Sequence, residues 1–197
     1  MKKTNELIHP AGERFLHWIH TILVLLLILT GLSLLYRKAV LLSLPDMLRV
    51  HKILGIVTIF FFYITWILYG IITGRIKSWF PDKRGFLREA AVQCRWHMVG
   101  VFRGEEPPHI PTPKDRLNPL QRLVYPTVMM VFMPIQFLTG LAMLLGFGLS
   151  SALVVNLHVL ISFLIILFLL LHFYLGIFAP PLGSYLMSMI KGTFPSE

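Results

Sequence analysis

The chain has 197 residues but only one cysteine, Cys94. A single cysteine cannot form a disulfide within the chain, and it excludes zinc or iron–sulfur sites built from several cysteine ligands. There is also no Cys-x-x-Cys-His segment, which excludes a haem attached through thioether bonds. Any haem or metal ion must therefore be held by other side chains.

Charged residues are scarce as well. Asp, Glu, Lys and Arg make up 14% of the chain, and 56% of it is hydrophobic. Soluble domains carry roughly 25% charged residues, so this composition is typical of a membrane protein. The net charge of +9 follows the ends of apolar segments, which indicates membrane topology rather than a nucleic-acid-binding surface. The first apolar run lacks a small-residue cleavage site, and we expect it to remain as a spanning helix.

Four segments are long enough to cross a membrane, which requires about 20 apolar residues. Between Arg122 and Lys191 there are 68 residues without Asp, Glu, Lys or Arg, too many for a single span. A glycine- and serine-rich turn at 146–151 is predicted to divide this run. Pro134 is expected to kink the helix before that turn. The predicted spanning helices are 15–36, 51–74, 122–146 and 152–178.

Lysine and arginine counts predict the orientation. Fourteen of these residues lie in the N-terminal segment, the 75–122 region and the C-terminus, and four lie between the first two helices. Both termini and the loop 75–121 are therefore predicted to be cytoplasmic. Within this loop, 84–103 has the pattern of an amphipathic helix, and the proline-rich stretch after it should be irregular. The predicted fold is all-α: one membrane domain, 1–197, forming a four-helix bundle with an amphipathic cytoplasmic loop helix.

Histidines occur at both ends of the predicted bundle, and ionisable residues at membrane depth are functional candidates. His158 and His172 are 14 residues apart, which gives about 21 Å of rise and nearly four whole turns. They therefore share one face of the fourth helix, at opposite depths. In the predicted topology His51 lies at the depth of His158, and His17 at the depth of His172. Two such pairs are the axial ligand sets that two low-spin b haems require.

Other interpretations of these residues remain open. A buried histidine can be a neutral ring bonded to another helix, and His20 could replace His17 on spacing alone. Zinc would need about four ligands at one point, which the difference in depth disfavours.

Arg14 and Arg49 precede two of the histidines and could pair with haem propionates, although positive residues commonly flank spans. Four glycines could allow close approach of a porphyrin or of another helix: Gly31, Gly55, Gly140 and Gly176. The histidines outside the spans are expected at the surface: His9, His97 and His109.

Four segments resemble the cytochrome b subunits of bacterial respiratory oxidoreductases. They are RFLHWIH at 14–20, RVHKILG at 49–55, LNPLQRLVY at 117–125, and NLH-x13-HFYLG at 156–176. The resemblance covers nearly the whole chain. It is greatest to the gamma subunit of formate dehydrogenase and the cytochrome b subunit of thiosulfate reductase. The b-type cytochrome of nickel–iron hydrogenase and prokaryotic cytochrome b561 are more distant.

The resemblance implies specific cofactors and partners. It implies two b haems, with His51 and His158 holding the outer one and His17, in preference to His20, holding the inner one with His172. It also implies menaquinone or another quinone near Asn118, Gln121 and His172, and a periplasmic iron–sulfur or multihaem redox subunit. The chain would then be an electron-transfer subunit in the bacterial inner membrane, without catalytic residues of its own. Two other possibilities are a stand-alone b561-type quinone oxidoreductase and a non-redox membrane anchor.

Overall fold

Four long apolar helices form the framework of the protein. The computed structural model describes residues 6–81, 85–112, 114–146, 152–178 and 183–194. Its helices long and apolar enough to cross a membrane are Ala11–Leu35, Leu44–Ile72, Pro119–Leu145 and Ala152–Phe178. We call these the first to fourth spanning helices. The predicted all-α membrane fold is confirmed, and the strands in the described residues are two short ones, Glu6–Leu7 and Thr193–Phe194, which pair antiparallel.

Three of the spanning helices begin earlier than the charge-free runs predict. The second begins at Leu44, where the Ser43 hydroxyl accepts a hydrogen bond from the Asp46 backbone amide and Pro45 occupies the first turn. Serine before the first turn and proline within it are typical of helix starts. With 25 to 29 residues, the helices are about 37–44 Å long, longer than the roughly 30 Å hydrocarbon layer. Their ends therefore extend into polar sequence that a hydropathy criterion excludes.

The third helix ends at Leu145, and Gly146 follows with a left-handed φ of 65°. Glycine adopts this conformation without steric cost, so it is well suited to end a helix. Most of the turn predicted at 146–151 lies outside the described residues.

Two of the spanning helices contain a π-helical turn, Thr58–Tyr63 in the second and Val128–Phe132 in the third. The Tyr63 hydroxyl donates a hydrogen bond to the Met129 carbonyl at 2.6 Å, which links the two turns. In the third helix the wide turn directly precedes Met133 and Pro134. Proline lacks an N–H and crowds the preceding turn, and a π-helical turn accommodates both effects without ending the helix.

The buried core lies midway along the bundle. It consists of five apolar residues from three helices: Val24, Val128, Met133, Ile161 and Ile165. These side chains exclude water from the middle of the bundle, so a polar group there would need a partner within the protein.

The loop between the second and third spanning helices folds back onto the bundle. Its helix, Phe86–Met98, buries one face, as the amphipathic pattern predicts, and a short 3-10 helix follows at Gly100–Arg103. The surface location expected for His97 is wrong, because this residue is 7% exposed. The Tyr174 hydroxyl donates a hydrogen bond to its carbonyl at 3.1 Å, and burial lowers the pKa of His97 to about 4. His97 is therefore neutral and structural.

An ion cluster joins the start of the first spanning helix to this loop at one end of the bundle, which we call the loop end. Arg116 Nη1 lies 2.9 Å and 3.1 Å from the two carboxylate oxygens of Glu13. Arg75 Nη1 lies 2.7 Å from the same carboxylate. With Arg116 6% and Glu13 14% exposed, the charges are largely removed from water and depend on one another. We call the opposite end, between the first and second helices and between the third and fourth, the turn end.

Candidate functional site

Two predicted site histidines meet at the turn end. The ring centroids of His51, from the second helix, and His158, from the fourth, are 6.4 Å apart, with an interplanar angle of 75°. His51 Nδ1 lies 2.8 Å from Thr30 Oγ1, and His158 Nδ1 lies 2.9 Å from Thr139 Oγ1. One ring nitrogen of each histidine is thus engaged by a neighbouring helix, which leaves Nε2 as the nitrogen for a shared ligand.

The other two histidines meet at the loop end. The centroids of His17 and His172 are 6.1 Å apart, with an interplanar angle of 45°. His20, which spacing alone left as an alternative, lies 6.3 Å from Trp66, as His17 does at 6.4 Å, but in the described structure the ring contact with His172 is made by His17. The structure therefore brings His172 together with His17. The two pairs are separated by the 14 positions from His158 to His172, or about 21 Å along the helix.

The described residues contain no group of three or more His, Cys, Asp and Glu side chains able to hold a metal ion. Structural zinc is almost always bound by four protein ligands, and catalytic zinc by three. Among the described residues, each histidine pair therefore has fewer ligands than a typical zinc site.

Glycines allow two close contacts at the turn-end pair. A Cβ atom added to Gly31 would lie 3.3 Å from His51 Cε1, and one added to Gly140 would lie 3.3 Å from His158 Cε1. At Gly55 and Gly176 an added Cβ would have no atom within 4 Å. Gly55 lies one helical turn after His51, and Gly176 lies one helical turn after His172. Each of these two histidines therefore has open space beside it on its own helix.

The family comparison settles what kind of protein has this arrangement. The family described as Prokaryotic cytochrome b561 matches residues 8–192, a range that contains all four paired histidines. The chain belongs to the prokaryotic cytochrome b561 family. It is accordingly a b561-type membrane haem protein of electron transfer, with b-type haem. Its four apolar spans make it a multi-pass protein of the bacterial inner membrane.

A curated relative supports this assignment over part of the chain. The chain is 27% identical over 134 residues to the protein named "Putative cytochrome YdhU" of Escherichia coli (strain K12). The match covers 68% of this chain and 51% of that relative, so the chain spans about half the length of the relative. No solved structure matches the chain.

The geometry of both pairs fits b-type haem. Two imidazoles on opposite sides of one metal ion, each with its nitrogen about 2 Å from the metal, have ring centres roughly 6 Å apart. The observed separations are 6.1 Å and 6.4 Å. One contact opposes coordination, because Gln136 Nε2 lies 3.0 Å from His158 Nε2. An iron bound at that nitrogen would replace this hydrogen bond, and the Gln136 amide would keep its second contact, 2.8 Å from Ser162 Oγ.

The two arginines predicted near haem propionates are placed differently. Arg14 donates a hydrogen bond from Nη1 to the Ile190 carbonyl, whereas its Nε is buried without a partner in the described structure. That unpaired donor is consistent with an anionic group nearby. Arg49 has a side chain that is 79% exposed, and it pairs with Asp46 at 3.3 Å. Propionate binding by both residues stays a prediction.

The segment predicted to bind quinone has a structural role. Asn118 Oδ1 accepts from the Gln121 amide at 2.8 Å, and Gln121 Oε1 accepts from the Asn118 amide at 2.9 Å. This reciprocal capping box begins the third spanning helix and satisfies two of its free N–H groups. Asn118 is 2% exposed, and its side chain also hydrogen-bonds to the hydroxyl of Tyr185. Contact with a quinone is therefore not needed to explain either residue, and it stays a prediction.

Sequence analysis missed Thr30, Thr139 and Gln136, because polar residues within a span are often bonded only to their own helix. A usable signal was present, since Leu-Thr-Gly-Leu occurs at 29–32 and again at 138–141. Glu13 and Arg116 were also missed. Their ion pair joins residues 103 positions apart, which no local pattern reveals.

Replacing Gly31 or Gly140 with alanine should selectively weaken the binding of a haem held by His51 and His158. The added Cβ would push the adjacent histidine ring by a few tenths of an ångström, and we expect retention of that haem to weaken by about tenfold. Haem content after purification and after dilution measures the effect. Gly12→Ala is the control, because a Cβ there would meet Tyr69 at an ordinary 3.5 Å. Equal loss in all three variants would contradict the prediction.

Proposed function

We propose that this chain is a dihaem membrane subunit that transfers electrons between the quinone pool and a periplasmic redox partner of a respiratory complex. One observation carries the proposal: two histidine pairs, each spaced for a single metal ion, lie at opposite ends of the bundle. A single haem would need only one pair. A non-redox anchor would need neither pair to be spaced for a metal ion.

Each part of the chain has a role in this function. Bound b haem would supply one-electron redox chemistry, and a histidine pair that holds it from both sides would leave no site for oxygen. His51 and His158 bind at the turn end, and His17 and His172 bind at the loop end. The apolar core between them, around Val24 and Ile165, keeps water out of the middle of the bundle.

The proposed orientation follows from charge. Fourteen lysines and arginines belong to the predicted cytoplasmic segments and four to the connection between the first two helices. The positive-inside rule thus assigns the loop end to the cytoplasm and the turn end to the periplasm. An iron–sulfur or multihaem partner subunit would exchange electrons at the turn end. Each electron moving between the two ends crosses the membrane potential, about 2.3 kcal/mol per 100 mV.

The loop end has features suited to a quinone. The Tyr125 ring lies 6.3 Å from that of His172, and a phenol hydroxyl can donate a hydrogen bond to a quinone carbonyl. A cavity of about 570 Å³ lies beside Leu117 and Pro119, but charged side chains such as Arg88 and Glu89 also line it, and neither Tyr125 nor His172 does, so it does not support the quinone site. We propose that the quinone head group binds at the loop end, near Asn118, Gln121 and His172.

A haem count tests the dihaem proposal directly. The purified chain should contain two b haems, measured as pyridine haemochrome per mole of protein, with low-spin reduced-minus-oxidised spectra. One haem or none per chain would overturn the proposal.

Replacing Asn118 with serine should separate the helix cap from quinone contact. A serine hydroxyl still accepts from the Gln121 amide, so the cap is kept, but the hydrogen bond to the Tyr185 hydroxyl is lost, which should cost about 1–3 kcal/mol of stability. The amide donor is lost, and we expect the rate of haem reduction by a menaquinol analogue to fall by about tenfold, the effect of one lost hydrogen bond. Asn118→Ala, which also loses the cap, is the comparison. An unchanged reduction rate in Asn118→Ser would remove Asn118 from the proposed quinone site.

A further inference from the structure

The two copies of Leu-Thr-Gly-Leu have equivalent positions in the bundle. The copy at 29–32 lies in the first spanning helix and contacts His51 of the second. The copy at 138–141 lies in the third and contacts His158 of the fourth. The two helical hairpins thus each contribute a histidine and a threonine–glycine pair to the turn-end site.

The direction of the hydrogen bond at Thr30 follows from its other contacts. The Thr30 hydroxyl lies 2.8 Å from the Leu26 carbonyl and 3.1 Å from the Leu27 carbonyl. Carbonyls only accept, so the hydroxyl proton is donated to its own helix. The Thr30 oxygen can then only accept from His51 Nδ1, which must carry the proton. Thr30 is 5% exposed, so water does not compete for this bond.

Thr139 repeats the arrangement. Its hydroxyl lies 2.8 Å from the Ile135 carbonyl and 3.0 Å from the Gln136 carbonyl. The Thr139 oxygen therefore accepts from Nδ1–H of His158, and the residue is 7% exposed. Both turn-end histidines are thus held as the tautomer with the proton on Nδ1, and each ring also hydrogen-bonds to the backbone of the same neighbouring helix, at Leu27 and at Gln136. Nε2 then carries the lone pair. In His158 that lone pair accepts from the Gln136 side-chain amide, which a bound metal ion would displace.

One histidine of the loop-end pair, His17, differs in this respect. His17 Nδ1 is buried and has no hydrogen-bond partner among the residues that the structure describes. Hydrogen bonding of Nδ1–H by a fixed acceptor orients a ligand histidine and raises its basicity. A more basic imidazole stabilises the oxidised, more positive iron and so lowers its reduction potential.

We propose that Thr30 and Thr139 are positioning residues that orient His51 and His158 and fix their tautomer. In this way they lower the reduction potential of the haem that the two histidines hold. The inference rests on the proposed dihaem function. It extends that function by assigning a distinct chemical environment to one of the two sites.

Threonine-to-valine variants test the inference, since valine keeps the branched shape but lacks the hydroxyl. Thr30→Val, Thr139→Val and the double variant should each shift the midpoint potential of one haem to more positive values. They should also weaken retention of that haem by about 10- to 100-fold. The potential of the second haem should not move. Thr30→Ser and Thr139→Ser keep the hydroxyl and should restore both properties.

Thr58→Val is the matched control. Thr58 is 0% exposed and donates to the Leu54 carbonyl at 2.7 Å, but no histidine contact is seen in the described structure. A potential shift of equal size in this control would overturn the inference, because it would reflect general loss of packing. If the valine variants do not fold, Thr→Ala at both positions, compared with Thr→Ser, gives the same test.

Haem count and haem potential together distinguish an error about the threonines from an error about the dihaem function. Two haems in the unmodified protein, with identical potentials in the valine and serine variants, would overturn the role of the threonines alone. Fewer than two haems in the unmodified protein would overturn the dihaem function itself.

Discussion

Replacing His158 with alanine should reduce the haem content from two per chain to one. In the proposed site two histidines hold the haem, and His51 alone would supply one nitrogen. Loss of a direct ligand is more damaging than loss of a surrounding contact. Since the two pairs share no histidine, the loop-end haem should stay. The measurement is pyridine haemochrome per mole of protein, together with a redox titration that resolves two components in the unmodified protein and one in the variant.

The remaining histidines provide the matched comparison. His51→Ala should remove the same redox component as His158→Ala, whereas His17→Ala and His172→Ala should remove the other. His20→Ala should keep both, because in the described structure the ring that faces His172 is that of His17. Loss of haem in His20→Ala with retention in His17→Ala would show that the wrong residue has been paired with His172.

The overall architecture could be predicted because hydrophobicity and length determine it. A chain with 56% hydrophobic residues and charge-free runs longer than 20 residues has few options in a membrane other than spanning helices. Histidine depth was also predictable, since a rise of 1.5 Å per residue fixes how far apart His158 and His172 lie. The spanning helices and the separation of His158 and His172 could both be predicted because each depends on the sequence of a single helix.

Contacts between distant parts of the chain were not predictable in this way. The choice of His17 over His20 depends on the rotation of the first helix relative to the fourth, and one helical turn separates the two candidates. The burial of His97 likewise depends on how the loop helix folds back, where the Tyr174 hydroxyl contacts its carbonyl. Spacing within one helix restricts such contacts but does not select among them.

The haem that a quinol reduces first should depend on which histidine pair is intact. In His158→Ala the remaining haem lies at the loop end, beside Tyr125, and reduction by a menaquinol analogue should stay as fast as in the unmodified protein. In His172→Ala the remaining haem lies at the turn end, about 21 Å further along the fourth helix. Electron transfer falls steeply with distance, so we expect reduction to slow by at least a hundredfold. Stopped-flow absorbance in detergent measures both rates.

A chemical reductant is the control for these kinetics. Dithionite should reduce the remaining haem in both variants to the same extent, because it does not require the quinone region. Fast quinol reduction in His172→Ala, with slow reduction in His158→Ala, would move the quinone site to the turn end. It would also reverse the proposed arrangement, in which the arginine-rich loop and the quinone share the cytoplasmic end of the bundle and the partner subunit docks at the other.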